Sequence, residues 1–323
     1  KKTDNKLFGS LRNVIWDKTN QASIETKIKL YTTLLRPSLL SGLNALCIEG
    51  QQLARLRDWE NWILRVIFRV KDNASVWGLL ANSHLLPIEG HYHKAVLGLF
   101  YNAWINKSNP ATKLIRDTME EKDGNGFWAV HLRKICERYR IPHPKELLKE
   151  DPPEKTQWRN YVDKKVRTYH EEKVNIQIDN MVTLKMIKKQ VEMDGNLEDC
   201  LKSKYGGSNT TIQMTNAMII GEFRNLDWQF RNKKSLTPNC ADCINIRDDV
   251  THNLTDCSRI NKDDHVTNCR RRLELQWSEL GMSANTREEY AATVLNPSAH
   301  VQTQHSSKID KSFKLSRQLV QAV

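Results

Sequence analysis

Seven cysteines, nine prolines and thirteen glycines in 323 residues exclude several kinds of protein at once. Four of the cysteines (Cys47, Cys136, Cys200 and Cys269) stand alone, so the chain carries no disulfide framework. That suits a reducing, intracellular compartment, nucleus or cytoplasm. No apolar run approaches the roughly twenty residues a membrane span needs, and the first residues lack a secretory-signal core. Gly206 and Gly207 have neither the lysine nor the strand context of a phosphate loop. Acidic residues are the minority sign: 38 Asp and Glu against 50 Lys and Arg leave a formal charge of +12. The excess favours phosphate-bearing partners, RNA or DNA ahead of an anionic membrane surface.

What is present is helical. Ile24, Ile28, Tyr31, Leu34 and Leu35, then Leu53, Leu56, Trp59, Ile63 and Ile67, recur at three- and four-residue steps. Gly50 separates the two runs and Pro37 kinks or interrupts the first. A third helix is expected over 88–106 and a fourth to about 120, with Leu35, Trp59, Ile63, Ile67, Leu97 and Phe100 as a shared core. Turn chemistry marks 123–126, 141–144 and 151–153, and 205–209 reads as a linker. Residues 210–230 read as one helix, and 258–280 as another bearing Leu273, Leu275, Trp277 and Leu280. The segment from about 283, rich in Ser, Thr, Asn and Gln, is expected to be disordered. The expected fold is mainly α, divided at 1–120, 121–208, 209–281 and 282–323.

The other three cysteines crowd into CADCINIRDDVTHNLTDC, as Cys240-x2-Cys243-x8-His252-x4-Cys257. Two sulfurs two residues apart reach one ion from a tight turn, and the later His and Cys complete a tetrahedron. Three sulfurs and one nitrogen with no open position suit a structural Zn2+ ion, about one per chain. The segment is too polar to bury a core, so the metal would supply its folding free energy. A competing ligand choice recruits His265 and Cys269. Cationic residues flank the cluster: Arg231, Lys233 and Lys234 before it, Arg259, Lys262, Arg270, Arg271 and Arg272 after it. Trp228 and Phe230 offer aromatic faces beside them. This pattern predicts single-stranded nucleic-acid binding with little sequence preference.

NAMIIGEFRNLDW (216–228), the knuckle and the basic helix after it resemble the C-terminal region of non-LTR (LINE-type) retrotransposon reverse transcriptases. The stretch TKIKLYTTLLRPSLLSGLNALCI (26–48) resembles the helix after that family's polymerase core. Lys29, Leu30, Tyr31, Arg36, Pro37 and Gly42 match, whereas Ser41 stands where the family has Tyr and no Trp follows. Residues 56–110, with Arg65 and Arg69 on an aromatic helix, are similar too. The resemblance implies a thumb and connection of helices followed by a zinc knuckle, within an RNA-directed DNA polymerase. It also implies a Mg2+ site on paired aspartates, which this chain lacks. In YVDK (161–164) Lys164 replaces the second aspartate, and Asp248–Asp249 and Asp263–Asp264 have no flanking strands. All are expected at the surface. The catalytic core is expected to precede Lys1, and this chain alone is expected to polymerise nothing.

Two other functions fit the composition. One is a zinc-stabilised helical scaffold making only protein contacts. The other is a nuclease with a diffuse carboxylate site in 121–204. His91 and His93, on one helix, are expected as exposed polar positions pointing to different sides, and Cys136 as a core thiol.

Overall fold

The computed structural model describes residues 22–71, 74–106, 110, 113, 117, 127–184, 186–187, 191–197, 199–202, 208–223, 225–243, 245–297 and 306–322. These are mainly helical, with no β-strand among them beyond one antiparallel bridge between Asn239 and Arg247. Most of the fourth expected helix and residues 205–207 of the expected linker lie outside the described residues; Ser208 and Asn209 instead cap and begin a helix, the Ser208 hydroxyl accepting the Thr211 N–H at 3.1 Å.

The first helix begins at Ser23, whose hydroxyl accepts the Thr26 N–H at 3.1 Å. It runs as α1 (Ile24–Leu30), a π-turn (Tyr31–Leu35) and α2 (Arg36–Leu40). Pro37 therefore does not break the helix. Its ring would meet the carbonyl of residue 33 in an ordinary helix, and the wider turn before it, closed by Arg36 N–H to the Tyr31 carbonyl, makes room. Ile24, Ile28, Tyr31 and Leu35 are buried as their spacing predicts, but Leu34 is exposed. Next come α3 (Gly50–Phe68), α4 (Val76–Ser83) and α5 (Ile88–Ile105). Leu35, Ile63, Ile67, Leu97 and Phe100 are buried together, with Trp59 half-buried at the edge.

Behind them lie α6 (Phe127–Arg138), the short α7 (Pro144–Leu147) and the long α8 (Lys155–Asn180). On α8 the buried residues fall at every fourth position: Trp158, Val162, Val166, His170, Val174 and Ile178. Steps of four overshoot one turn by about 40°, so this stripe winds around the helix. Its first end faces α5, with Trp158 against Phe100, Tyr101 and Trp104; its last end faces α4, with Lys173 over the Trp77 ring. Gly90 permits the approach, since a Cβ there would lie 3.0 Å from His170 Nε2.

One expectation about this half, that His91 and His93 are exposed, is corrected. His93 is 2% exposed and its Nδ1 sits 2.7 Å from the Tyr139 hydroxyl; His91 is partly buried, 2.8 Å from Arg36. The two rings do point to different sides, each toward a packed neighbour rather than water. Cys136 is a core thiol, 1% exposed.

The second half is α9 (Asn209–Ile219), α10 (Leu226–Arg231), α11 (Val250–Thr255), α12 (Ser258–Asn261), α13 (Asp264–Glu279), α14 (Arg287–Leu295) and α15 (Ser306–Ala322). The helix expected over 210–230 is two helices. Gly221, at φ +72°, breaks it, and a Cβ there would lie 2.7 Å from the Thr183 carbonyl. Residues 258–280 are likewise two helices, and Leu275 faces solvent.

The expected disorder after 282 is the larger error. Thr286 opens α14 with a reciprocal capping box to Glu289. Phe313, Leu315, Leu319 and Val320 of α15 are buried in packing against α13, where Trp277 Nε1 donates to Ser312 Oγ at 3.1 Å. The halves touch: Asn82 Nδ2 donates to Asn216 Oδ1 at 2.9 Å, and Gly78 lies against Ile220.

Candidate metal centre

The knuckle is built by short-range backbone bonds. The Cys240 N–H donates to the Ile246 carbonyl at 2.8 Å and the Asp248 N–H to the Pro238 carbonyl at 2.8 Å. These clamp the tight turn that brings Cys240 and Cys243 together. Asn245 makes the return in the left-handed region, at φ +58°, a conformation its short polar side chain tolerates. Asp249 then starts α11 by accepting the His252 N–H at 2.8 Å, which orients the His252 turn toward the sulfurs. Cys257 follows directly, its N–H donating to the His252 carbonyl at 3.0 Å, and it opens α12.

The four side chains converge. One ligand atom from each of Cys240, Cys243, His252 and Cys257 lies within 4.8 Å of every other, and all four residues are buried. Cys240 Sγ and Cys257 Sγ are 3.8 Å apart. A disulfide would need about 2.05 Å, whereas a tetrahedral ion with metal–sulfur bonds of about 2.3 Å sets its sulfurs about 3.8 Å apart. Both ring nitrogens of His252 are buried with no hydrogen-bond partner. Leaving a buried polar atom unpaired costs about 1–3 kcal/mol, and coordination would satisfy one of the two. The cluster is thus positioned to hold a metal ion, and the orphaned imidazole fits that task. Among the described residues it is the one group of three or more metal-ligating side chains so placed. His265 and Cys269 stand outside it and face each other, Sγ to Nε2 3.8 Å, one helical turn apart on α13.

Ser258 escaped the sequence reading. Its N–H donates to Cys243 Sγ at 3.2 Å and its hydroxyl lies 3.1 Å from the same sulfur. These contacts hold the Cys243 thiol below its ordinary range, while burial raises Cys240. A serine directly after the last cysteine was the available clue. Asp227 escaped too. It binds both Arg231 and Arg247, tying α10 to the knuckle; its i, i+4 spacing to Arg231 was legible.

The flanking cations separate into two sets. Arg231 is committed to Asp227 and the Gly221 carbonyl, and Arg270 donates to Asn261 and, at 3.2 Å, to the Asn253 carbonyl. Lys233, Lys234, Arg259, Lys262, Arg271 and Arg272 are exposed; Arg259 lies 3.9 Å from Asp242, and Arg271 donates to Asn268 at 3.2 Å. Trp228 departs from expectation. It is 2% exposed, its Nε1 donates to Glu222 at 2.9 Å, and the Lys71 ammonium sits 3.9 Å above its ring. Packing has sealed the faces that stacking would need. Phe230 remains 42% exposed.

The aspartates form no polymerase-like pair. Asp163 is partly buried on α8 between Lys94 and Arg167, whose hydrogen bonds outweigh burial and hold its carboxyl below the usual range. Asp248 is buried, against the expectation of a surface carboxylate, and Asp249 and Asp263 serve as helix caps. No helix among the described residues is long and apolar enough to cross a membrane. No protein family, curated protein or solved structure matches the chain.

Proposed function

We propose that this chain is a nucleic-acid-binding segment of retrotransposon-type reverse-transcriptase character, a helical thumb and connection followed by a zinc knuckle. One observation carries the reading: a Cys3His cluster ready for metal, set between two cation-bearing flanks. Cys240, Cys243, His252 and Cys257 would hold Zn2+, and the ion, when bound, stabilises a loop with few apolar side chains of its own. The protein does the rest. Asp249 and Ser258 orient ligands, Asp227 ties the loop to α10, and Lys233, Lys234, Arg259, Arg271 and Arg272 meet the phosphates. RNA or DNA is held as a single strand with little sequence preference, and polymerisation belongs to a core outside this chain.

The test joins metal to binding. After reducing purification the chain is expected to carry about one Zn2+, and Cys243→Ser to lose it and to unfold 238–262 while α3 and α5 stay protected in hydrogen exchange. Anisotropy with mixed-sequence single strands is expected to show affinity falling steeply with salt, as counterions compete for each phosphate contact. A protein purified without zinc, or binding that is absent or insensitive to salt, refutes the proposal.

A further inference from the structure

The loop from α10 into the knuckle presents apolar side chains where a soluble surface gains nothing from them. Leu236 is fully exposed at 101%, Phe230 is 42% exposed and Ile246 is 39% exposed. The loop that carries Leu236 is tightly tied. The Lys234 N–H donates to the Gln229 carbonyl at 2.7 Å, and Ser235 Oγ donates to the Thr237 carbonyl at 2.8 Å. The Asn239 N–H donates to Thr237 Oγ1 at 3.1 Å, and Pro238 is bound to the metal loop through Asp248. One end of the loop is therefore anchored on α10 and the other on the Cys3His cluster. An isobutyl group on such a mount stays in water at every moment the partner is absent.

Its neighbours specify the partner. The segment 227–247 holds Arg231, Lys233, Lys234 and Arg247 against Asp227 and Asp242. Asp227 is neutralised by Arg231 and Arg247, and Asp242 faces Arg259. Lys233 and Lys234 next to Leu236 have no carboxylate partner among the described residues. An apolar tip beside two exposed cations that no carboxylate neutralises, Lys234 also lying 5.6 Å over the Trp228 ring, matches a phosphate backbone carrying bases that can be parted, the arrangement by which apolar wedges enter base steps.

We propose that Leu236 is a wedge that inserts between adjacent bases of the bound strand, with Phe230 supplying a stacking face in place of the sealed Trp228. This rests on the nucleic-acid reading above, and the test separates the two. The probe is a single-stranded DNA carrying 2-aminopurine, whose fluorescence rises on unstacking, titrated with the zinc-loaded full chain. Wild type is expected to bind and to raise the fluorescence. Leu236→Ser is expected to keep its zinc and its Tm, because the side chain buries nothing, yet to bind about tenfold more weakly. It should lose the fluorescence rise while keeping the salt slope, since no charge is removed. Lys233→Ala with Lys234→Ala should instead flatten the slope and retain the rise. Binding and fluorescence unchanged in Leu236→Ser overturn the wedge and leave the nucleic-acid reading standing. No wild-type binding to the strand overturns both. Sedimentation showing a wild-type dimer that Leu236→Ser converts to monomer assigns the tip to a second copy of the chain, and so overturns the wedge.

Discussion

At the scale of single residues, identity and spacing revealed chemistry better than they revealed exposure. The Cys3His cluster was legible because a group spanning eighteen residues is assembled by local backbone turns, which sequence order encodes directly. Trp228 was not. Its burial depends on Lys71, Glu222 and Lys234, two of them brought in by the fold or by a helix break that no local pattern announces. The same reasoning misplaced His93, whose partner Tyr139 lies 46 positions away. The burial of Trp228 reverses its expected role. Trp228→Ala is expected to cost on the order of 3–5 kcal/mol in a denaturant titration, as for other buried indoles. Phe230→Ala should leave stability within about 0.5 kcal/mol and act on binding alone. Equal, small stability effects in both variants would show that the Trp228 pocket is not tightly packed.

At the scale of elements, the helices over 24–40, 50–68 and 88–105 could be located from the helical spacing of their apolar residues, although the last is buried well beyond a single stripe. Breaks and tails were harder. Gly221 ends α9 through a positive φ and a contact with Thr183, a long-range demand that a lone glycine in a helical pattern does not disclose. In the tail, polar residues averaged away the short apolar run Phe313, Leu315, Leu319 and Val320, which is buried because α13, α9 and α14 all offer surfaces to pack on. Helix α13 itself carries three consecutive arginines that the sequence treats alike and the structure does not. Arg270 braces α13 to α11 and α12 through Asn253 and Asn261, whereas Arg271 and Arg272 project from an exposed face. Arg270→Ala should therefore lower the thermal stability of the knuckle, and the Arg271→Ala, Arg272→Ala double variant should preserve it. The double variant is expected to weaken strand binding and reduce the salt slope by up to about 2. A double variant with an unchanged slope would remove this face of α13 from the binding surface.

Across the whole molecule, the first half is held by titratable groups kept uncharged, and this gives it a pH dependence with a definite sign. His93, Tyr139 and His170 form a buried chain, with the Tyr139 hydroxyl 2.7 Å from His93 and 3.2 Å from His170. One hydroxyl proton can serve one imidazole while the oxygen accepts from the other, so both rings are accommodated neutral. Burial, reinforced by Arg138 and other cations, pushes His93 down to about 2; burial with Lys173 and Arg138 pushes His170 down to about 3. In the unfolded chain both titrate near the ordinary value of 6.5. Below that value the unfolded state binds protons that the folded state refuses, so acid favours unfolding. The stabilisation is complete above about pH 6.5 and is lost as pH falls toward 3, at up to about 1.4 kcal/mol per pH unit for each fully shielded histidine. Other groups titrate over the same range, so the informative quantity is a difference between variants. His170→Gln keeps a polar group beside Tyr139 but cannot gain a proton. Its denaturation midpoint should fall less than that of wild type between about pH 7 and about pH 4.5. Parallel declines in the two proteins would mean that His170 is not held neutral in the folded state.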